Sequence, residues 1–384
     1  MVSPRTAVAA AFGTQGLVFI SLTTRLPRIQ DRWDLSELEL SGLLLVMVLL
    51  AGVGSVLAEQ LARTRESATM LRGGLLVVAI AVPVVLASPA FVGFAAALAA
   101  YGIALGVVDA TTNMQAVALE HAYRRPILPS FHSAWTFGGI IGAGLALATA
   151  AVPLPWIGLL AVVPLVVALA PFLRRTTGVT TAPQGVQVPW RPIVLVGLGM
   201  VLFYMVDTAA QTWGATYLQE TFATPDALVA LAVFPYLVSS AVLRLAGDGL
   251  VARYGTVRVL RVGGVVAFLA LAVVVFAPSW PVAVAGFTAL GAGVAVIAPL
   301  SFSAAARIAG DSTSPEDRML RVDAVIARFN QFNYAGALLG AVMTGVVGSG
   351  SLRLGFAVPM VLILGILPLA RAFAPRRVVS QENL

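Results

Sequence analysis

Long apolar runs, each broken by a short cluster of charged residues, proline or glycine, recur along the whole chain. About 20 consecutive apolar residues are needed to cross a bilayer as a helix. On that measure the pattern predicts twelve spans. The first six cover 6–26, 38–61, 72–88, 91–119, 130–152 and 155–173. The second six cover 192–217, 227–247, 259–277, 280–304, 322–347 and 354–373. The longest polar, turn-rich stretch between spans, TTGVTTAPQGVQVP, lies between the sixth and the seventh. The chain therefore divides into an N-terminal six-helix bundle (1–173), a cytoplasmic linker (174–191), a C-terminal six-helix bundle (192–373) and a cytoplasmic tail (374–384). The expected fold class is an all-α membrane protein whose two bundles are related by pseudo-two-fold symmetry, the layout of carriers whose halves rock about a central site.

Composition agrees with that pattern. Of 384 residues, 59% are hydrophobic and only 11% charged, less than half the charge of an average soluble domain, about 25%. All 24 basic residues are arginine, and eighteen fall on one set of connections once the N-terminus is placed inside. Arg25, Arg28, Arg32 and Arg353 fall outside, and Arg244 and Arg328 lie near or within spans. This bias sets both termini in the cytoplasm and the chain in the cytoplasmic (inner) membrane, as a multi-pass protein in contact with lipid. It also explains the net charge of +7 without nucleic acid as a partner. The first apolar segment is long enough to span and lacks a small-residue cleavage site, so it reads as a retained helix. With no cysteine and two histidines, His121 and His132, neither disulfides nor a metal site are expected, and no cofactor is implied.

Polar side chains at membrane depth carry the chemistry, because each is costly to insert. Span four reads GVVDATTNMQAVALEHAYRRP, with Asp109 and Asn113 on one helical face and Gln115 offset from them. Span seven reads FYMVDTAAQTWGATYLQE, with Asp207 and Gln211 on one face and Trp213 further out. Asp109 and Asp207 are the candidates for proton coupling. Each is equally readable as a carboxylate held by neighbouring helices for packing. Span eleven, VDAVIARFNQFNYAGALLG, is the most polar. Its Arg328, Asn330, Gln331 and Tyr334 are recognition candidates, or interhelical glue. Span five carries His132 near its start, which reads first as a structural histidine, and Trp135 as an interior aromatic. Gly138 and Gly142 there form a small-residue face for close helix packing. Asn113, Gln115, Trp135, Gln211 and Trp213 complete the set of substrate-binding candidates. Trp213 reads as well as an interface tryptophan.

Gating candidates are Arg25 at the outer end of span one, Pro299 as a kink in span ten, and Asp248 and Arg253 in RLAGDGLVARYGTVRVLR. The last segment reads as a tight charged loop after span eight, with Gly247, Gly255 and Arg258. Its counterpart after span two, AEQLARTRESATMLR, lacks the glycines.

The GD…L…R.G…R loop after span eight resembles the cytoplasmic signature of the major facilitator superfamily. TRLPRI, GVVDATTNMQ, FHSAWTFGGIIGA, GAGVAVIAPLSFSAA and NYAGALLG are similar to segments of a bacterial branch related to fucose permease-like carriers, and they cover both halves. The resemblance implies the major facilitator fold and a secondary transporter. Where that branch has two acids in span seven, this chain has Asp207 and Thr212. GGIIGAG lacks the proline typical of drug–proton antiporters in span five.

The resulting expectation is a monomeric, proton-coupled secondary transporter that moves a small polar or amphipathic solute by alternating access. Export of a drug or secondary metabolite, and a non-transporting sensor of the same fold, are the alternatives. An enzyme is not expected: no HExxH, cysteine nucleophile or converging histidines are present.

Overall fold

A computed structural model of the chain describes residues 3–62, 64–123, 127–173, 190–309 and 331–374, with Val325 and Phe329. All regular structure among them is helical. The first half holds α1 (Pro4–Thr23), α2 (Leu26–Trp33), α3 (Glu37–Leu61), α4 (Ser67–Ala87), α5 (Phe91–Tyr123), α6 (Leu128–Ala148) and α7 (Leu154–Ala168). The second holds α8 (Trp190–Phe222), α9 (Phe234–Tyr254), α10 (Thr256–Val275), α11 (Trp280–Val294), α12 (Ile297–Ala309), α13 (Gln331–Val347) and α14 (Leu352–Phe373). Ten helical stretches of the described residues are long and apolar enough to cross a membrane. The shorter apolar α7 and the 17-residue α13 bring the crossings to twelve.

Local sequence explains the helix ends. Ser3 caps α1 by accepting from the Thr6 amide, with Pro4 in the first turn where its missing N–H costs nothing. Ser36 and Glu39 form a reciprocal capping box at the start of α3. Between them α2, which the hydropathy pattern leaves as a connection, ends on Asp34 in the left-handed region (φ 50°, ψ 47°). Wide apolar exposure on α3, α4, α7 and α10, for example at Ile80, Val166 and Leu269, marks the faces that lipid would cover.

The packing repeats between halves. In the first, α1 packs along α6, and α5 packs against both α3 and α4; in the second, α8 packs along α13, and α11 against both α9 and α10. The halves meet through α3 on α13 and α6 on α9, pairs that the same two-fold exchange interconverts. These relations give the expected pair of six-helix bundles.

Three expectations on boundaries need correction. Residues 247–254 are the final turns of α9 rather than a loop, and the chain turns only at Gly255, whose φ of 79° a side chain would resist. Trp190 and Arg191, assigned to the linker, already belong to α8. Pro299 does not kink a continuous helix. The tenth crossing breaks at Ala295–Val296, and Pro299 sits in the first turn of α12, where proline is tolerated.

Candidate functional site

α5 and α8 each contain 33 residues, about 50 Å of helix, so their middles lie deep between the two faces. Asp109 and Asp207 occupy those middles, and both are only partly buried. The two carboxylates are held by different partners. Asp109 accepts a short hydrogen bond from the Tyr334 hydroxyl on α13 and a long one (3.4 Å) from Gln15 Nε2 on α1. Ser55 of α3 lies near the same phenol. This cluster joins α1, α3 and α5 of the first half to α13 of the second.

Asp207 accepts from the Tyr236 hydroxyl of α9 at 2.5 Å, with Gln211 nearby one turn along its own helix. Arg244, halfway along α9, is close enough to act on Asp207 electrostatically. It donates from Nε to the Ala295 carbonyl (3.1 Å) at the α11–α12 break and from Nη1 to Thr136 Oγ1 (3.0 Å) on α6. Tyr204 lies within electrostatic reach of Asp109, Asp207 and Arg244 together. The acids therefore share one mid-depth neighbourhood without touching each other.

Other candidates fall in different places. Asn113 donates to the Asp109 carbonyl of its own helix (2.9 Å) and remains partly accessible. The Trp135 ring, also partly accessible, lies 6.4 Å from Phe19. Gln115 is fully buried: its amide nitrogen donates to Ser67 Oγ (2.9 Å) and the Leu173 carbonyl (3.0 Å), and its oxygen accepts from the Leu173 amide (3.0 Å). Trp213 is fully buried as well, and its Nε1 donates to the Ala341 carbonyl of α13 at 2.7 Å. Both tie helices together within a half, where no solute has access. Gln331 is exposed. Arg328, Asn330 and the Asp248 side chain lie outside the described residues.

Arg25 is 3% exposed. It donates to the Ser21 carbonyl and to Thr149 Oγ1, both at 2.7 Å, so it anchors α1 to the end of α6 within one half. Burial, with Arg28 nearby, pulls its pKa down to about 10, which leaves it charged at neutral pH. Arg253 is exposed, with its guanidinium 5.3 Å from the Tyr254 ring centre. His132 stands between Phe12 of α1 (5.4 Å) and Phe302 of α12 (6.2 Å), forming an aromatic bridge between halves.

On the face carrying α2, the halves are also joined. Gln30 Nε2 donates to Glu220 Oε1 at 2.7 Å, and Gln219 Nε2 donates to Asp31 Oδ2 at 3.0 Å. Gln15, Ser55, Tyr204, Tyr236 and Arg244 are site residues that the sequence reading did not select. Arg244 had a signal, an ionised side chain at membrane depth. The expected span of 227–247 put it near a helix end, whereas the observed helix puts it in the middle.

A family model described as Major Facilitator Superfamily matches residues 196–384. The transporter y4wD of Sinorhizobium fredii is 26% identical over 93% of this chain and 94% of its own length. Membrane protein MosC of Rhizobium meliloti is 25% identical over 94% of this chain and 88% of its own. Among solved structures, a D323A mutant of the nucleoside transporter NupG superposes with a TM-score of 0.70 at 13% identity, covering 97% of this chain and 99% of that one. The FucP transporter in its outward conformation gives 0.64 at 17% identity, covering 97% and 99%; these likenesses speak for the fold. The family model over residues 196–384, the full-length relatives and the fold together support a multi-pass membrane transporter of the major facilitator type.

Proposed function

We propose that this chain is a proton-coupled carrier, working as a single chain in the cytoplasmic membrane with both termini inside. It moves a small polar or amphipathic solute by alternating access, with Asp109 and Asp207 as the coupling acids. The observation that carries this reading is the Asp109–Tyr334 bond, which ties a mid-depth acid of one half to the other half. A carboxylate accepts such a bond far better than the neutral acid does. Proton binding at Asp109 thus weakens a tie between the halves, and the tie's strength follows the protonation state. Asp207, bonded by Tyr236, supplies a second titratable group in the same neighbourhood. The resemblance in fold to the fucose:proton symporter FucP and to the nucleoside transporter NupG supports solutes of sugar-like size.

The test uses proteoliposomes with an imposed proton gradient and a pH-sensitive dye inside. A panel of sugars, nucleosides and organic acids is added, and solute accumulation is read together with internal pH. Asp109→Asn and Asp207→Asn are expected to keep solute binding and to lose gradient-driven accumulation. Undiminished accumulation in the double variant would remove the two acids from the mechanism.

A further inference from the structure

Arg244 lies ten residues from either end of α9, about 15 Å of helix in each direction. Its two hydrogen bonds go to neutral oxygens, the Ala295 carbonyl and Thr136 Oγ1. Among the described residues, Nη2 makes no hydrogen bond. The nearby acid, Asp207, has its Oδ1 taken by Tyr236. The other titratable groups around Arg244 are Tyr204 and Tyr236, both neutral phenols, and His132 on α6. A guanidinium this deep calls for an anion, and its planar fork matches an oxyanion in two-point contact.

We propose that Arg244 binds the carboxylate of the transported solute, and that the solute is an amphipathic carboxylic acid. This deepens the carrier reading and rests on it. A single negative charge fits best, because a dianionic phosphate would meet Asp207 in the same neighbourhood. The partly accessible His132–Phe302 pair supplies a flat surface for the rest of the molecule, while the Phe203 ring, whose centre is 5.9 Å from the guanidinium carbon, is buried and packs beside Arg244. Thr136 belongs to the opposite half, so a carboxylate that draws Arg244 away from it also releases one tie between the halves.

The experiment is thermal unfolding of the purified full-length protein in detergent, with acids paired against their amides: benzoate and benzamide, nicotinate and nicotinamide, glucuronate and glucuronamide. Inorganic phosphate and sodium chloride at equal ionic strength serve as controls. At least one acid is expected to raise the Tm by several degrees while its amide does not, since a ligand that binds only the folded state stabilises it. Arg244→Gln is expected to lose that shift and Arg244→Lys to keep part of it. Arg191→Gln, at an exposed arginine in the first turn of α8, is expected to behave as the wild type. Amides stabilising as well as acids, acids stabilising Arg244→Gln as well as the wild type, phosphate alone acting, or no acid in the panel giving a shift would each overturn the proposal. If Arg244→Gln does not fold, the wild-type acid–amide comparison and Arg244→Lys decide the matter. No gradient is present, so proton coupling can fail in vesicles while this binding stands.

Discussion

Tyr334 on α13 donates its hydroxyl to Asp109 on α5, and so a single phenol connects the two halves at mid-depth. Hydrogen bonds to charged groups are worth about 1.5–3 kcal/mol. Tyr334→Phe keeps the ring and removes the bond. It is expected to shift the balance between conformations by roughly tenfold to a hundredfold. The chain has no cysteine, so spin labels can be placed in pairs without removing native thiols. Electron–electron distance distributions between labels on the two halves should broaden or shift in Tyr334→Phe. An unchanged distribution would show that this bond does not bias the halves.

A second joint closes the face that carries α2. Gln30 bonds Glu220, and Gln219 bonds Asp31, both pairs running from the first half to the second. Each bond contributes about 1 kcal/mol net. Replacing Gln219 and Glu220 by alanine removes both and should favour separation of that face. Ile29 beside them is 4% exposed, so a cysteine at that position reports opening. Its reaction with a bulky maleimide in the purified protein should speed up about fivefold or more when both bonds are lost. Equal rates in the two backgrounds would show that the apolar contacts alone hold the face shut.

The number of crossings, the division into halves and the depth of Asp109 and Asp207 were readable from hydropathy, because lipid imposes a minimum length on every span. Gly138 and Gly142 were readable as a packing face for the same reason that small residues let backbones approach, and the structure sets them against the Gly13 and Leu17 carbonyls. What hydropathy could not give is the partner of each polar group. Gln115 and Asn113 look alike in sequence, two residues apart. Their roles diverge because one side of α5 meets the Leu173 backbone and another side turns towards α1 and α13. The short helix α2 was missed because its charged residues, Arg28, Asp31 and Arg32, hide it from any apolar-run criterion. Arg32 and Arg28 in fact spend their donors on backbone carbonyls at Leu86, Ser88, Ala150 and Val152.

Gln115 provides a control for the site. Its amide satisfies both the N–H and the carbonyl of Leu173 and also reaches Ser67, in full burial. Gln115→Ala strips the Leu173 N–H and carbonyl of their side-chain partner, at about 1–3 kcal/mol for each atom left unsatisfied. The Tm is expected to fall by several degrees. Solute affinity in the protein that remains folded should not change, since nothing mobile reaches this position. A raised binding constant with an unaltered Tm would return Gln115 to the recognition site.

Within the first half, backbones approach closely between α1 and α6 and between α3 and α5. A Cβ on Gly138 would lie 1.9 Å from the Gly13 carbonyl oxygen, and one on Gly106 would lie 1.8 Å from the Ala51 carbonyl oxygen between α5 and α3. Neither obstacle is a flexible side chain, so alanine at either position must push two helices apart. Overpacking of this kind typically costs about 1–3 kcal/mol. Gly42, also in a helix, has nothing within 4 Å of its would-be Cβ, and alanine there should instead help by up to about 1 kcal/mol through helix propensity. Thermal unfolding in detergent should therefore rank Gly42→Ala at or above the wild type, with Gly138→Ala and Gly106→Ala well below it. The contrast also bears on rocking. If each half moves as a rigid body, loosening α1 from α6 displaces Gln15 relative to Asp109, because those two residues sit on different helices of the same half. Gly138→Ala should then weaken gradient-driven accumulation more than solute binding. Equal losses in both would mean that the half yields internally and does not transmit the motion.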